Sequence, residues 1–192
     1  ATRKGHYDLI VEAGGTAEML ATYDNIGMLL KHACGALATT GGGPYTHTYT
    51  LSAALPTGLT LEFIRGTGTS EVFEGCKINQ ATLACSAGEA MTLSVDFIAE
   101  DGAARGSAGT PTYAAVEQVV LYHHAGQMSI AGNNYSINSL SLVLNNNLTR
   151  RNLLGSDLTK EPVRGDFTEI TMSVEVEAAD QLYADLRSGA QA

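Results

Sequence analysis

The chain has 192 residues, of which 44% are hydrophobic and only 16% are charged, and its formal net charge is −9. This length is enough for one domain with its own core, and a charged fraction below the roughly 25% of ordinary domains indicates that much of the surface meets other protein chains. The eleven Lys and Arg residues are thinly scattered, which argues against a protein that grips nucleic acid through a basic patch.

The N-terminal part of the chain predicts a strand, a helix and an arm. A strand is expected over residues 6–12, and Asp24 offers an N-cap for a helix over 24–37. Apolar residues recur there at helical spacing, so one helix face should pack on a sheet: Ile26, Leu29, Leu30, Ala33, Cys34 and Leu37. The glycine-rich break that follows predicts a flexible arm over 39–58, whose Thr- and Tyr-rich part is compatible with an extended arm or a strand.

The rest of the chain alternates apolar and polar residues, which is typical of strands within a single domain, residues 1–192. Strands are expected at 59–65, in a hairpin that begins near 71 and runs to 97, at 136–148 and at 166–177. Loops are expected at 101–112, 131–134 and 145–165, residues 113–130 fit either a strand or a helix, and a short helix should span 179–187. We expect no membrane span and no signal peptide, and residue 1 is Ala rather than Met, which leaves room for residues before it.

The hairpin over 77–97 recurs later in the chain. "KINQATL" from Lys77 resembles "SINSLSL" from Ser136, and "TLSVDF" from Thr92 resembles "TMSVEV" from Thr171, with a longer connection in the second copy. In both copies one face of each strand is apolar, and the other is short, polar and acidic. Two such hairpins favour a mainly β fold, a β-sandwich or partial barrel, with the helix at its flank.

The polar faces of the two hairpins form the candidate functional surface. They consist of small polar side chains: Gln80, Thr82, Thr92, Ser94 and Asp96 in the first copy, and Ser139, Ser141, Thr171, Ser173 and Glu175 in the second. No Gly-x-Ser-x-Gly, HExxH or Walker-type sequence is present, and the adjacent His123 and His124 would point to opposite faces of a strand. We therefore expect no enzymatic activity, no metal site and no cofactor. The three cysteines lack zinc-site spacing and are expected to be reduced, buried thiols.

Several strands and turns, taken in order, carry a resemblance to a known family. They are "YTHTYT", "LTLEFIRG", "FEGCKINQATLACSAGEAMTLSVDFIAED", "NNNLTRRNLLGS" and "EPVRGDFTEITMSVEVE", preceded by the single helix before the glycine break. In this order they resemble the major tail tube proteins of long-tailed bacteriophages, over most of residues 6–186. That family is related to the inner tube proteins of contractile tails and of type VI secretion.

The resemblance implies a β-sandwich with a flanking helix that assembles into hexameric rings, which stack into a hollow tube for DNA delivery to the host cell. Each subunit would contribute four strands to a continuous inner β-barrel. The implied partners are other copies of the chain, the tape measure, tail terminator and baseplate or tip proteins, and double-stranded DNA in transit, with no membrane. The implied location is the virion tail, after synthesis in the bacterial cytoplasm.

In a tube of this kind the polar faces are interpreted as the wall of the channel. DNA carries about one negative charge per 1.7 Å of axis, so short acidic and hydroxyl side chains would let it slide where Lys and Arg would hold it. The hairpin over 77–97 is preferred for the lumen, and the second hairpin is compatible with it as well. Contacts between subunits are expected at Tyr45, His47 and Tyr49 of the arm and at Arg150 and Arg151 of the later loop.

A different class of function stays open from the residues alone. A secreted or surface β-sandwich that binds carbohydrate or mediates adhesion would also expose tyrosines, of which the chain has eight. The absence of Trp counts against sugar stacking. Assembly separates the two classes, because a tube subunit forms rings or filaments and a binding module stays monomeric.

Overall fold

The computed structural model describes residues 12–23, 26–66, 69–105, 109–110, 127–130, 133–154, 156, 158–177, 183–184 and 186–187. The fold is mainly β, a β-sandwich or partial barrel, and it is flanked by the helix α1, Ile26–Cys34. The strands are β1 Ala13–Leu20, β2 Gly35–Thr40, β3 Thr46–Leu51, β4 Leu59–Arg65, β5 Thr69–Ser86, β6 Thr92–Ala99, β7 Asp101–Arg105, β8 Gln127–Ile130, β9 Asn133–Asn145, β10 Leu148–Arg151, β11 Lys160–Arg164 and β12 Glu169–Val176. Strands β4, β5, β6, β9 and β12 fall where the alternation of apolar and polar residues predicts them.

One large antiparallel sheet organises the fold, with its main strands in the order β1-β6-β5-β9-β12. β5 is 18 residues long and belongs to two parts of this sheet. Its first half pairs with β4 and β7, and its second half, from Lys77, pairs with β6 and β9. Gly75 lies between the halves with a φ of +63°, and a Cβ there would lie 2.8 Å from the Cβ of Glu100. This position therefore requires glycine.

Helix α1 packs its apolar face on the large sheet, as its spacing predicted. Leu29 and Ala33 of the helix are buried in one cluster with Ile78, Leu93 and Val95 of the sheet. Burial of a side chain such as Leu or Val contributes roughly 1.5–3 kcal/mol to folding, so this cluster stabilises the packing of the helix on the sheet.

A second apolar cluster lies where β4 packs beside β5 and β6. The rings of Phe63 and Phe73 meet edge to face with centroids 5.7 Å apart, and Phe97 contacts both. Cys76 is buried in the same cluster, and its burial raises the pKa of the thiol to about 11. None of the three cysteines forms a disulfide, and only Cys76 is fully buried.

The helix is shorter than the span of 24–37 predicted from its apolar stripe. It ends at Cys34, because Gly35 adopts a φ of +108°, a conformation that ends helices. The following residues form β2, and Leu37 lies exposed in that strand instead of in the helix. The predicted N-cap, Asp24, lies outside the described residues.

The segment predicted as an arm over 39–58 takes part in a β-hairpin, in which β2 pairs with β3 in a sheet of their own. The strand alternative is therefore the one found for its Thr- and Tyr-rich part. The base of the hairpin is tied to the domain. The backbone N–H of Ser52 donates to the carbonyl oxygen of Cys34 at 2.9 Å, and Arg164 donates to the carbonyl oxygens of Ser52 and Ala53.

Three further stretches differ from their prediction. Residues 101–112, predicted as a loop, include β7, which pairs with the first half of β5. The connection over 145–165 contains the β10-β11 hairpin. β1 was not predicted as a strand, because Gly14 and Gly15 are residues that strands disfavour. The predictions for 6–11 and for most of 113–130 and 179–187, with His123 and His124, fall outside the described residues.

The strand registers confirm the internal repeat. Ala81 lies opposite Val95 in the first copy, and the equivalent residues Leu140 and Val174 lie opposite each other in the second. The same correspondence holds along both pairs of strands. Each pair also has a register shift at the same place, beside Asn79 in the first copy.

The two copies of the repeat meet where β5 pairs with β9. Leu83 of the first copy lies opposite Leu142, its own equivalent in the second. An approximate two-fold axis therefore passes through this pair, normal to the sheet. It makes the four strands β6-β5-β9-β12 a symmetric unit, with both polar faces on one side and both apolar faces on the other.

Candidate functional site

The polar side chains predicted from the repeat all lie on one face of the large sheet, which we call the polar face. Thr82 lies opposite Ser94, and Ser141 lies opposite Ser173. The pairing of Ala84 with Ser141 places the polar side of the second copy on the same side of the sheet as that of the first. Because paired residues point to the same side of a sheet, the two copies form one continuous surface. The predicted members are Gln80, Thr82, Thr92, Ser94, Asp96, Ser139, Ser141, Thr171, Ser173 and Glu175.

The polar face extends onto β1, which the sequence did not predict. Thr16 lies opposite Asp96, and Glu18 lies opposite Ser94, on the same side of the sheet. Neither residue could be assigned to the face from the sequence, because the strand that carries them contains adjacent glycines. The structure thus adds one hydroxyl and one carboxylate to the face at its β1 end.

Two more residues of the polar face were missed at the β12 end, where Glu169 lies opposite Asn145. The signal for both was present in the sequence. Glu169 lies two residues before Thr171, and Asn145 lies four residues after Ser141, so extending the alternation of each strand by one or two steps finds them.

The ionised side chains that the registers place along the polar face are acidic: Glu18, Asp96, Glu169 and Glu175. The five main strands contain one basic residue, Lys77 of β5. Its side chain is only 13% exposed, and its Nζ lies 2.8 Å from Glu161 Oε1. The ion pair neutralises this cation, so the field of the polar face is negative.

Neutral donors hold two of these carboxylates in place. Asp96 accepts hydrogen bonds from Asn79 Nδ2 at 3.1 Å and from Thr16 Oγ1 at 3.4 Å. Glu175, its equivalent in the repeat, accepts one from Ser139 Oγ at 3.2 Å. Since the donors carry no charge, these contacts orient the carboxylates without neutralising them.

The chemistry of the polar face is that of a repulsive, weakly hydrogen-bonding surface for polyanions. Its polar side chains are hydroxyls, amides and carboxylates, with the apolar Leu20, Ala84 and Val143 among them. Phosphate binding depends on Lys, Arg or converging backbone N–H groups. Within the described ranges, no group of three or more His, Cys, Asp or Glu side chains is placed to hold a metal ion. No helix in the described part of the chain has the length and apolarity to cross a membrane.

The predicted contact residues of the arm lie on β3 or next to it. Tyr45 is 63% exposed, and His47 is exposed with its Nδ1 2.9 Å from Thr39 Oγ1. Tyr49 is half-buried, and a Cβ added at Gly27 of α1 would lie 3.2 Å from its hydroxyl. The hairpin therefore presents Tyr45 and His47 outward, and Tyr49 packs beside the helix of its own chain.

The two arginines predicted as subunit contacts have different surroundings. Arg150 Nη1 donates to the carbonyl oxygen of Ala13 at 2.7 Å, and its Nε lies 3.9 Å from Glu12 Oε2. Arg151 is exposed on the same strand. Arg150 thus fastens β10 to the start of β1, and Arg151 is the member of the pair that faces solvent.

A family model described as phage tail tube protein matches residues 2–192. No curated protein matches the chain. The family match spans both copies of the repeat, the helix and the projecting hairpin.

Proposed function

Because the chain belongs to the phage tail tube protein family, whose members are structural proteins of the virion that self-assemble into a tube, we propose that six copies close into a ring and that the rings stack into this tube. Phage double-stranded DNA passes through the bore on its way to the host cell. The polar face lines the bore, and the two ends of the large sheet join neighbouring copies.

The two end strands of the large sheet are the observation that best supports the proposed ring. β1 and β12 lie at the two ends, and among the described residues each pairs with one strand, β6 and β9 respectively. Each is eight residues long and offers a row of backbone donors and acceptors to a neighbouring copy. A head-to-tail contact between such ends closes into a ring when its rotation permits.

The symmetric unit β6-β5-β9-β12 supplies the four strands that the resemblance implies for the inner barrel, and β1 adds a fifth strand per subunit when the ring closes between β1 and β12. Both of its hairpins contribute their polar sides to the wall, so the two candidates for the lumen are parts of one surface. A barrel built from many strands keeps an open channel, in contrast to a small barrel filled by side chains. β1 flanks this unit at the joint with the next subunit.

The charge of the polar face supports its place in the bore. A wall with Asp96 and Glu175 at equivalent positions repels phosphate weakly at every subunit, and the hydroxyls between them offer only neutral contacts. Each Lys or Arg in such a wall would release counterions on contact and strengthen the grip on DNA. An acidic wall therefore keeps the DNA mobile.

Stacking of rings is assigned to the surfaces that project from the large sheet. Tyr45 and His47 of the β2-β3 hairpin and Arg151 of β10 are exposed and of the type that forms interfaces between subunits. The tape measure, tail terminator and baseplate or tip proteins are further partners in this proposal, and the chain is made in the cytoplasm of the bacterial host before assembly.

Assembly is the first test of this proposal. The purified protein is expected to form rings or long hollow filaments in negative-stain microscopy and to elute from a sizing column as a large species. The double variant Tyr45→Ala/Arg151→Ala should give rings that stack poorly, with an unchanged thermal melt, because both side chains are exposed. Lys160→Ala, which removes the exposed cation opposite Arg151, is the matched control. A chain that stays monomeric at every concentration would instead support the carbohydrate-binding or adhesion module.

Charge reversal tests the role of the polar face. Tubes of Asp96→Lys/Glu175→Lys, assembled with short duplex DNA, are expected to retain the DNA in a nuclease-resistant form, whereas wild-type tubes retain little. Retention should fall steeply with salt, with a logarithmic slope of about −0.9 for each phosphate that the introduced lysines neutralise. Co-sedimentation before and after nuclease treatment measures both quantities.

The matched control for this experiment carries the same change of charge outside the polar face. Glu89 lies exposed in the turn between β5 and β6, and Asp166 lies exposed between β11 and β12. Tubes of Glu89→Lys/Asp166→Lys should leave any bound DNA open to the nuclease. Equal protection in both variants would place the polar face outside the bore.

A further inference from the structure

We propose that the apolar side of β9 and β12 is a docking surface for a second copy of this chain. The surface, which we call the uncovered apolar half, consists of the exposed Ile170 and Met172 of β12 and the half-buried Leu140 and Leu142 beside them on β9. This inference rests on the proposed function and names the part of the subunit, other than the sheet ends and the polar face, through which neighbouring copies hold each other.

The internal repeat provides the comparison that identifies this surface. Met91 and Leu93 of the first copy are 5% and 0% exposed. Their equivalents in the second copy, Ile170 and Met172, are 54% and 57% exposed. The sequence thus keeps the same apolar pattern in two symmetric places, and within the described ranges of the chain only the first is covered, on β6, and its equivalent on β12 is not.

Helix α1 covers the apolar face of the first copy. Leu29 and Ala33 of the helix lie on Leu93 and Val95, with Ala21 in the same cluster. A similar apolar layer on the uncovered apolar half would bury the equivalent side chains of the second copy to the same extent. Contiguous apolar patches of this kind on a folded surface mark sites of protein association.

The position of the surface favours a second copy as the occupant. Ile170 and Met172 lie on β12, the strand at the end of the large sheet, so a copy that docks there is continuous with the contact proposed to close the ring. The four side chains of the surface are uncharged, which excludes nucleic acid as the occupant and matches an apolar element of another subunit. The polar face lies on the other side of the same strands, so docking here leaves the wall of the bore unobstructed.

A pair of matched single substitutions tests the proposal. Met172→Glu places a charge on the uncovered apolar half, and Ala87→Glu places the same charge on an exposed residue of the turn between β5 and β6, outside this surface and the polar face. Under assembly conditions Met172→Glu is expected to stay monomeric with a thermal melt within a few degrees of wild type, and Ala87→Glu is expected to form tubes. Normal tubes from Met172→Glu, or loss of the folded monomer, would overturn the proposal.

A photo-crosslinking residue at position 172 gives a second measurement that does not depend on a loss of assembly. Irradiation of assembled protein should produce covalent dimers and higher multimers that persist in denaturing gels, and diluted monomer should produce none. Crosslinks within one chain would show that the chain covers this surface itself and would overturn the proposal. If the wild type forms no tubes at all, the proposed function fails, and covalent dimers at high concentration would still support the docking surface.

Discussion

Replacement of Leu93 by Ala is expected to lower the free energy of unfolding of the monomer by about 3 kcal/mol, and Met172→Ala should lower it by less than about 1 kcal/mol. The two residues are equivalent in the internal repeat, and both belong to apolar faces of the large sheet. Leu93 is fully buried beneath α1, so its truncation leaves a cavity, whereas Met172 already contacts solvent over more than half of its surface.

Denaturant unfolding at concentrations that keep the protein monomeric measures both free energies. The comparison carries its own control, since the two substitutions remove similar apolar groups from symmetric positions. Equal losses at the two sites would mean that the second copy is covered within its own chain, and the account of the uncovered apolar half would then be wrong. In assembled tubes Met172→Ala is expected to be the more destabilising of the two substitutions, because it should also weaken the contact between subunits.

Asn146→Leu is expected to lower the free energy of unfolding by about 3 kcal/mol, although the two side chains have similar volumes. Asn146 is fully buried, and its Nδ2 donates to the carbonyl oxygens of Ala33 at 2.9 Å and Ile78 at 3.0 Å. Its Oδ1 accepts from Arg164 Nη2 at 2.9 Å and from Thr168 Oγ1 at 3.2 Å. One amide therefore joins the end of the helix, the large sheet and β11, and leucine would leave these buried groups without their partner.

Asn146→Asp separates the two halves of this network. The carboxylate keeps an acceptor for Arg164 and removes the donor to two carbonyl oxygens, so it should still cost more than about 1 kcal/mol. Asn152→Ala, at an exposed asparagine, is the control and should change stability by less than about 0.5 kcal/mol. Unfolding curves for the three variants measure the effect, and wild-type stability for both substitutions of Asn146 would refute its role as the junction of these elements.

The polar face could be predicted from the sequence because it depends on a local rule. Side chains alternate between the faces of a strand, so Thr92, Ser94 and Asp96 share a side once the strand is recognised. The resemblance between the two hairpins then extended the prediction to the second copy, and the registers confirm it. Where no strand was recognised, as in β1 with its glycines, the residues of the face were missed.

Contacts between segments distant in the chain could not be predicted in the same way. Asn146 lies where the strand predicted over 136–148 and the loop predicted over 145–165 overlap, and neither prediction places it in the core. Its burial depends on α1, on β5 and on Arg164, which are separate segments of the chain. The apolar stripe predicts a helix that continues to residue 37. The helix ends at Cys34 instead, because Gly35 adopts a positive φ. The sequence likewise carries no sign that the described residues cover Met91 and Leu93 of the first copy but leave Ile170 and Met172 of the second exposed, because both copies show the same alternation.

The position of the acidic residues in the assembled tube tests the central claim most directly. A cryo-microscopy map of the tube at side-chain resolution is expected to show Asp96 and Glu175 facing the bore, with β12 of each subunit against the neighbouring one. A map with both carboxylates on the outer surface and lysines along the bore would contradict the account.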